Sequence, residues 1–323
     1  MKSVLKHFRI LVLGFRPEET SYDRRGFRGA TDGMRARLEQ IGASFGYGYH
    51  TALKHDSPRE VAQELTSINV ELRGFAFEGA AMGLAMLDRL SPWRTNRFAQ
   101  FLSGDGEVHT YMLHVGVGWV WARLPFAFRR TQQRLDPLLG WLAFDGWGFH
   151  EGFFHWRKHL ADGTVPSRLR GYERRVFDQG LGRSLWFVNG GNPELITRTI
   201  RELQPERRAD LWSGIGLGAT YAGMVDESTL QVLRENAGSN WPQLAQGSAF
   251  AAKARMRAGN STDYTDLATG VFCEMSALEA ACLCDATLEN LPAATPEPAY
   301  EIWRKRIQLH FQESKQSHHQ ETK

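Results

Sequence analysis

The densest run of chemistry-bearing residues is Phe144 to His159, FDGWGFHEGFFHWRKH. It sets Asp145, His150, Glu151, His155 and His159 among aromatics and glycines. Acids and a histidine in a partly apolar setting have displaced pKa values, which suits proton transfer. Read as helix, Glu151, His155 and His159 recur at i, i+4 and i+8 and share a face, a spacing that could hold a divalent ion. The run misses the H-E-x-x-H signature because the second histidine falls one position late. An ideal helix also turns His150 away from His155, and Lys158 competes electrostatically nearby. A haem axial role for His114 or His150 has no motif behind it. No metal and no cofactor is assigned from the sequence.

The same local pattern, a polar residue followed by Gly-x-Gly or Gly-x-small, recurs elsewhere. It appears as Phe77-Glu78-Gly79-Ala80-Ala81, His114-Val115-Gly116-Val117-Gly118, Asp145-Gly146-Trp147-Gly148 and Asp178-Gln179-Gly180-Leu181-Gly182. Trp212-Ser213-Gly214-Ile215-Gly216 and Ala245-Gln246-Gly247-Ser248-Ala249 continue it. Gly146, Gly180, Gly214 and Gly247 fall 34, 34 and 33 residues apart, a period typical of paired-helix solenoids. Glycine costs a helix interior about 1 kcal/mol relative to alanine. Its repeated use therefore marks close helix approach, or room left for a ligand beside the polar neighbour. If equivalent positions line one surface, Glu78, His114, Asp145, Asp178 with Gln179, Ser213 and Gln246 converge on one groove or cavity. The competing reading is a set of satisfied buried polar groups holding helix ends together. The candidate catalytic residues are Glu78, His114, Asp145, His150 and Asp178.

Helix punctuation positions these groups. Ser57-Pro58-Arg59-Glu60 offers a capping box with proline in the first turn. Ser91-Pro92 repeats the cap-then-proline start, and Asn189-Gly190-Gly191-Asn192-Pro193 reads as a stop and a restart. Gly223, Asp226, Gly238, Asn240, Thr262 and the Ser276/Glu279 pair mark further ends and starts. Hairpin signals between alternating strands are nearly absent. His114 to Trp121, HVGVGWVW, alternates well enough for a strand, but its place in the repeat predicts helix. The expected fold is all-α: helical-hairpin repeats in one compact array, α-solenoid or α/α toroid-like. An N-terminal arm covers 1–24 and the repeats cover 25–290. A Pro-containing linker, a short helix carrying Tyr300, Trp303 and Ile307 on one face, and a disordered tail beyond Gln312 cover 291–323.

Bulk composition bounds the function. The 323 residues are 42% hydrophobic and 23% charged, which predicts a packed globular chain. A net charge of +3 is too mild to argue for nucleic acid. The start, MKSVLKHFRILVLGF, has too short an apolar run for a signal peptide, and no stretch is long and apolar enough to span a bilayer. Cys273, Cys282 and Cys284 match no zinc or haem spacing and read as reduced, buried thiols of a cytoplasmic protein. No nucleophile elbow, P-loop or dinucleotide fingerprint is present. Arg157, Lys158, Arg168, Arg170, Arg174, Arg175 and Arg183 form a basic middle, read as a solvated face or a dock for an acidic carrier protein. The aromatics around them read as core, or as a tunnel wall for a long hydrophobic substrate.

At RRGFRG (Arg24 to Gly29), RGFAFEGAAMG (Arg73 to Gly83), YMLHVGVGW (Tyr111 to Trp119) and FDGWGFHEGFFH (Phe144 to His155) the chain resembles a known group. DQGLGRSLWFV, SGIGLGATYAG and LAQGSAFAAKARMRAG, running from Asp178 to Gly259, extend the likeness. The chain resembles an uncharacterised bacterial domain-of-unknown-function family whose members sit in enediyne natural-product gene clusters. The likeness spans roughly Arg24 to Cys284. It implies a place in polyketide-derived specialised metabolism and brings no catalytic assignment. The expectation is a cofactor-independent cyclase or isomerase acting on a hydrophobic polyene or polyketide. The alternative is a non-catalytic scaffold that holds a carrier protein or pathway enzymes.

Overall fold

Side-chain caps set six of the helix starts among the described residues. Thr31, Asn69, Asn192, Asp226 and Thr262 each accept a backbone N–H two or three residues on. Ser276 and Glu279 form a reciprocal capping box. Ser57 precedes its helix, Pro58–Leu65, but makes no side-chain cap bond, so the box expected there does not form. Gly223 and Gly238 stop their helices at φ +70° and +54°, a region open to glycine at little cost.

The computed structural model describes residues 9–91, 95–126, 128–292 and 295–321, without the side chains of residues 17 and 315–321. The Pro92 helix start and the side chains of His318 and His319 lie outside this description. The described residues are helical with no strand. Nine helices form the frame: α1 (Asp32–Lys54), α2 (Val70–Leu90), α3 (Thr110–Arg123), α4 (Leu142–Phe154), α5 (Tyr172–Val188), α6 (Pro205–Ala222), α7 (Trp241–Arg257), α8 (Ala277–Ala286) and α9 (Ala299–Glu321). From α1 to α8 each packs on the next, and α9 lies against α7 and α8.

The Gly-x-Gly pattern has a geometric cause. Residues two apart on a helix point about 200° apart, so the two glycines face opposite flanking helices. A Cβ on Gly146 would lie 1.9 Å from the Val115 carbonyl oxygen of α3, and one on Gly148 would lie 1.9 Å from that of Phe177 in α5. Gly116 and Gly118 stand likewise against α2 and α4. The alternation of His114 to Trp121 is therefore helix–helix contact spacing, and the segment is α3.

Both ends of the chain depart from expectation. Phe15 and Tyr22, from the supposed arm, belong to the buried core. Tyr300, Trp303 and Ile307 do share a buried face, but their helix is not short: α9 runs to Glu321, past the point where a disordered tail was expected.

Candidate functional site

Two groups of side chains gather the candidate residues. The first is a buried polar chain. Glu78 of α2 accepts a hydrogen bond at 3.0 Å from the Trp119 indole N–H of α3. The Arg183 guanidinium of α5 stands 4.0 Å from the same carboxylate and 2.7 Å from Asp145 Oδ1 of α4. Gln179 Nε2 donates to Asp145 Oδ2 at 2.9 Å and to the Tyr300 hydroxyl of α9 at 3.1 Å. One cation thus bridges two carboxylates from different helices, with Asp145 fully buried and Glu78 and Arg183 nearly so. Burial drives the Glu78 carboxyl up to about 7, against the pull of Arg183 and Trp119. An acid in that range exchanges protons near neutral pH.

Glu78 and Arg183 line an aromatic pocket. Phe15, Phe45, Phe75, Trp119, Phe149, Phe153, Phe154 and Phe187 wall it, and Ile41, Gly42 and Thr20 complete it. The Arg183 guanidinium lies 4.3 Å over the Phe149 ring, a cation–π contact. Only about 30 Å³ admits the centre of a water-sized sphere, room for about two waters. A wider groove of about 240 Å³, lined in part by Asp88, Arg89 and Arg134, contains none of the candidate acids.

The second group lies where α4 ends. His150, buried, meets Trp119 edge-to-face at 5.5 Å and Phe154 at 4.8 Å. Burial pushes its imidazole pKa down, and Arg123 and His155 add to this against Glu151. The helix breaks at His155 (φ −130°, ψ 36°) and resumes as a π-helical turn over Arg157–Ala161. This break brings the His150 and His155 rings to 6.0 Å, where an ideal helix would part them. Glu151 Oε2 faces His155 Nδ1 at 2.9 Å and His159 Nε2 at 3.1 Å. Burial raises the Glu151 carboxyl, but the nearby imidazoles of His150 and His159 outweigh it and hold it well below the usual carboxylate range.

The other candidates stand apart. His114 gives its Nδ1 to the Thr110 carbonyl one turn back, at 2.8 Å, and packs on Phe98, away from the pocket. Asp178 pairs with Arg207 through two bonds of 2.9 and 2.6 Å, while burial pushes its carboxyl up to about 6. Ser213 donates to Gln246, which also takes Arg304 Nε of α9 at 3.1 Å. Cys273 and Cys284 are buried and free, whereas Cys282 is exposed. Arg183 was read as part of a solvated basic face and is instead buried between two acids. Its signal was Gln179 and Arg183, four apart on one face of α5.

An all-helical protein with a charged chain buried beside an aromatic pocket is the class that these features define. The chain belongs to the family described as "Protein of unknown function (DUF1702)", which matches residues 4–311. No curated protein and no solved structure matches it.

Proposed function

We propose that the aromatic pocket takes a slender hydrophobic substrate and that Glu78 exchanges a proton with it. The observation that carries this reading is a carboxyl held near 7 in a pocket walled by aromatic rings. Arg183 would steady the charged form of Glu78, and Asp145 would hold Arg183 in place. The reaction is a cyclisation or isomerisation of a polyene or polyketide, which needs proton transfer and exclusion of water but no cofactor. The resemblance to enediyne-cluster proteins supports a role in specialised metabolism, and the free thiols suit a cytoplasmic enzyme. We read the glycine-paired helices as units of one repeat, with Glu78 of α2 and, through Arg183, Asp145 of α4 serving the pocket and the polar positions Asp178, Ser213 and Gln246 of α5 to α7 serving structure. The paired state of Asp178 and Gln246 supports that division.

Metabolite profiling tests the proposal. A host deleted for this gene and complemented with Glu78→Gln should lose the wild-type product at normal protein level. A strain carrying Asp178→Asn should retain product wherever the protein accumulates. Restoration of the product by Glu78→Gln would end the acid/base role. It would favour the scaffold reading, in which the chain only holds an acidic carrier protein.

A further inference from the structure

The end of α4 carries a donor set that the pocket does not use. His150, Glu151 and His155 each present one ligand atom, all within 4.8 Å of one another. Metal–ligand distances of about 2.0–2.2 Å place neighbouring donors roughly 3–3.5 Å apart. His155 Nδ1 to Glu151 Oε2, at 2.9 Å, and His150 Nδ1 to Glu151 Oε1, at 3.6 Å, stand close to that spacing already. The two imidazoles stand no more than 4.8 Å apart at their donor atoms, and the His155 side chain is half-exposed.

Three further features set the cluster apart from an ordinary ion pair. His150 Nδ1 is buried and has no hydrogen-bond partner, since 3.6 Å is too long for one. A buried polar atom left unpaired destabilises the fold, and a bound cation removes that cost. His159 sits behind the carboxylate, its Nε2 on Glu151 and its Nδ1 on the Thr164 carbonyl, an outer contact of the kind that orients a ligating group. The break at His155, followed by a π-helical turn, brings the donors together, and such turns concentrate at functional sites. Arg123 is a cation that acts on His150, and it lies 4.1 Å over the Phe15 ring and 6.0 Å over Phe154.

We propose that His150, Glu151 and His155 bind one divalent cation of the zinc and iron group, with His159 as the positioning residue. Two imidazoles and one carboxylate suit Zn²⁺ or Fe²⁺ and leave coordination positions open to solvent on the His155 side.

Zn²⁺ and Co²⁺ are the probes. The full chain, with His318 and His319 changed to alanine so that the tail does not compete, is stripped with a chelator and titrated. The expected result is saturable binding of one Zn²⁺ per chain, a rise in melting temperature, and a visible Co²⁺ spectrum that Zn²⁺ displaces. His159→Gln should weaken binding ~10- to 100-fold with the Co²⁺ bands retained. His155→Ala, at an exposed position that leaves the fold intact, should weaken it further and abolish the bands. Absence of saturable binding in the stripped parent would overturn the proposal, as would undiminished affinity in His155→Ala.

Discussion

At the scale of single residues, Glu78 makes a prediction with a definite sign. Its folded pKa of about 7 lies above the ordinary carboxyl value of 4.5. Between those values the folded state holds a proton that the unfolded state has lost. This contribution to stability is complete below about pH 4.5 and disappears as pH rises through 7, a difference on the order of 3 kcal/mol. Glu78→Gln removes the titration and keeps an oxygen for the Trp119 N–H. The variant should therefore gain on the wild type as pH rises from 5 to 8, seen as a widening gap in melting temperature. A gap that stays constant across that range would mean the carboxyl is ionised throughout. The sequence disclosed Glu78 and Asp145 because each stands beside a contact glycine. It hid Arg183, which sits in a run of arginines whose other members reach the surface or pair elsewhere, as Arg175 does with Asp210 and Glu301. His114 stands one residue further from its glycine, with Val115 between, and turns to its own Thr110 carbonyl. Proximity to glycine fixes where a residue's backbone lies, not which way its side chain turns.

At the scale of elements, the glycines are where sequence and fold correspond most closely. Their period revealed helices in succession, and their doubling records that a helix has a neighbour on each side. The contacts are tight enough to test. A Cβ on Gly180 would lie 1.8 Å from the Asp145 carbonyl oxygen, a backbone atom that no rotamer change can move. Gly180→Ala should part α4 from α5, cost about 3 kcal/mol or more and lower the melting temperature accordingly. Gly46, inside α1, has nothing within 4 Å of its missing Cβ. Gly46→Ala should add up to about 1 kcal/mol by helix propensity alone. If both substitutions prove neutral, close approach is not the reason for the pattern. Caps at Asn192, Asp226, Thr262 and Ser276 were readable because each bond is local. The α4 break at His155 was not: the run through it stays rich in aromatics and carries no proline or glycine at the bend to announce it.

At the scale of the whole molecule, contacts between distant segments decide which parts of the polar interior are structural and which can work. The last helix closes one part. Tyr300, Arg304 and Gln308 recur every four residues along α9 and engage Gln179, Gln246 and Asp210. Tyr300 lies 121 residues from its partner Gln179, a separation that no local pattern encodes. The segment ahead of α1 closes the other part. Phe15 packs 4.7 Å from the Tyr49 ring and 6.1 Å from Phe45, takes the Arg123 guanidinium on its face, and supplies one wall of the aromatic pocket. On the proposed reading, a pocket with room for only about two waters takes a substrate when this segment moves aside. Phe15→Ala should cost about 3 kcal/mol in stability and leave helix content unchanged below the melting temperature. It should also increase the uptake of a hydrophobic fluorescent dye, while Phe311→Ala, in the packing of α9, should destabilise without that gain. Equal dye uptake in the two variants would mean that general loosening, and not a cover over Glu78, governs access to the pocket.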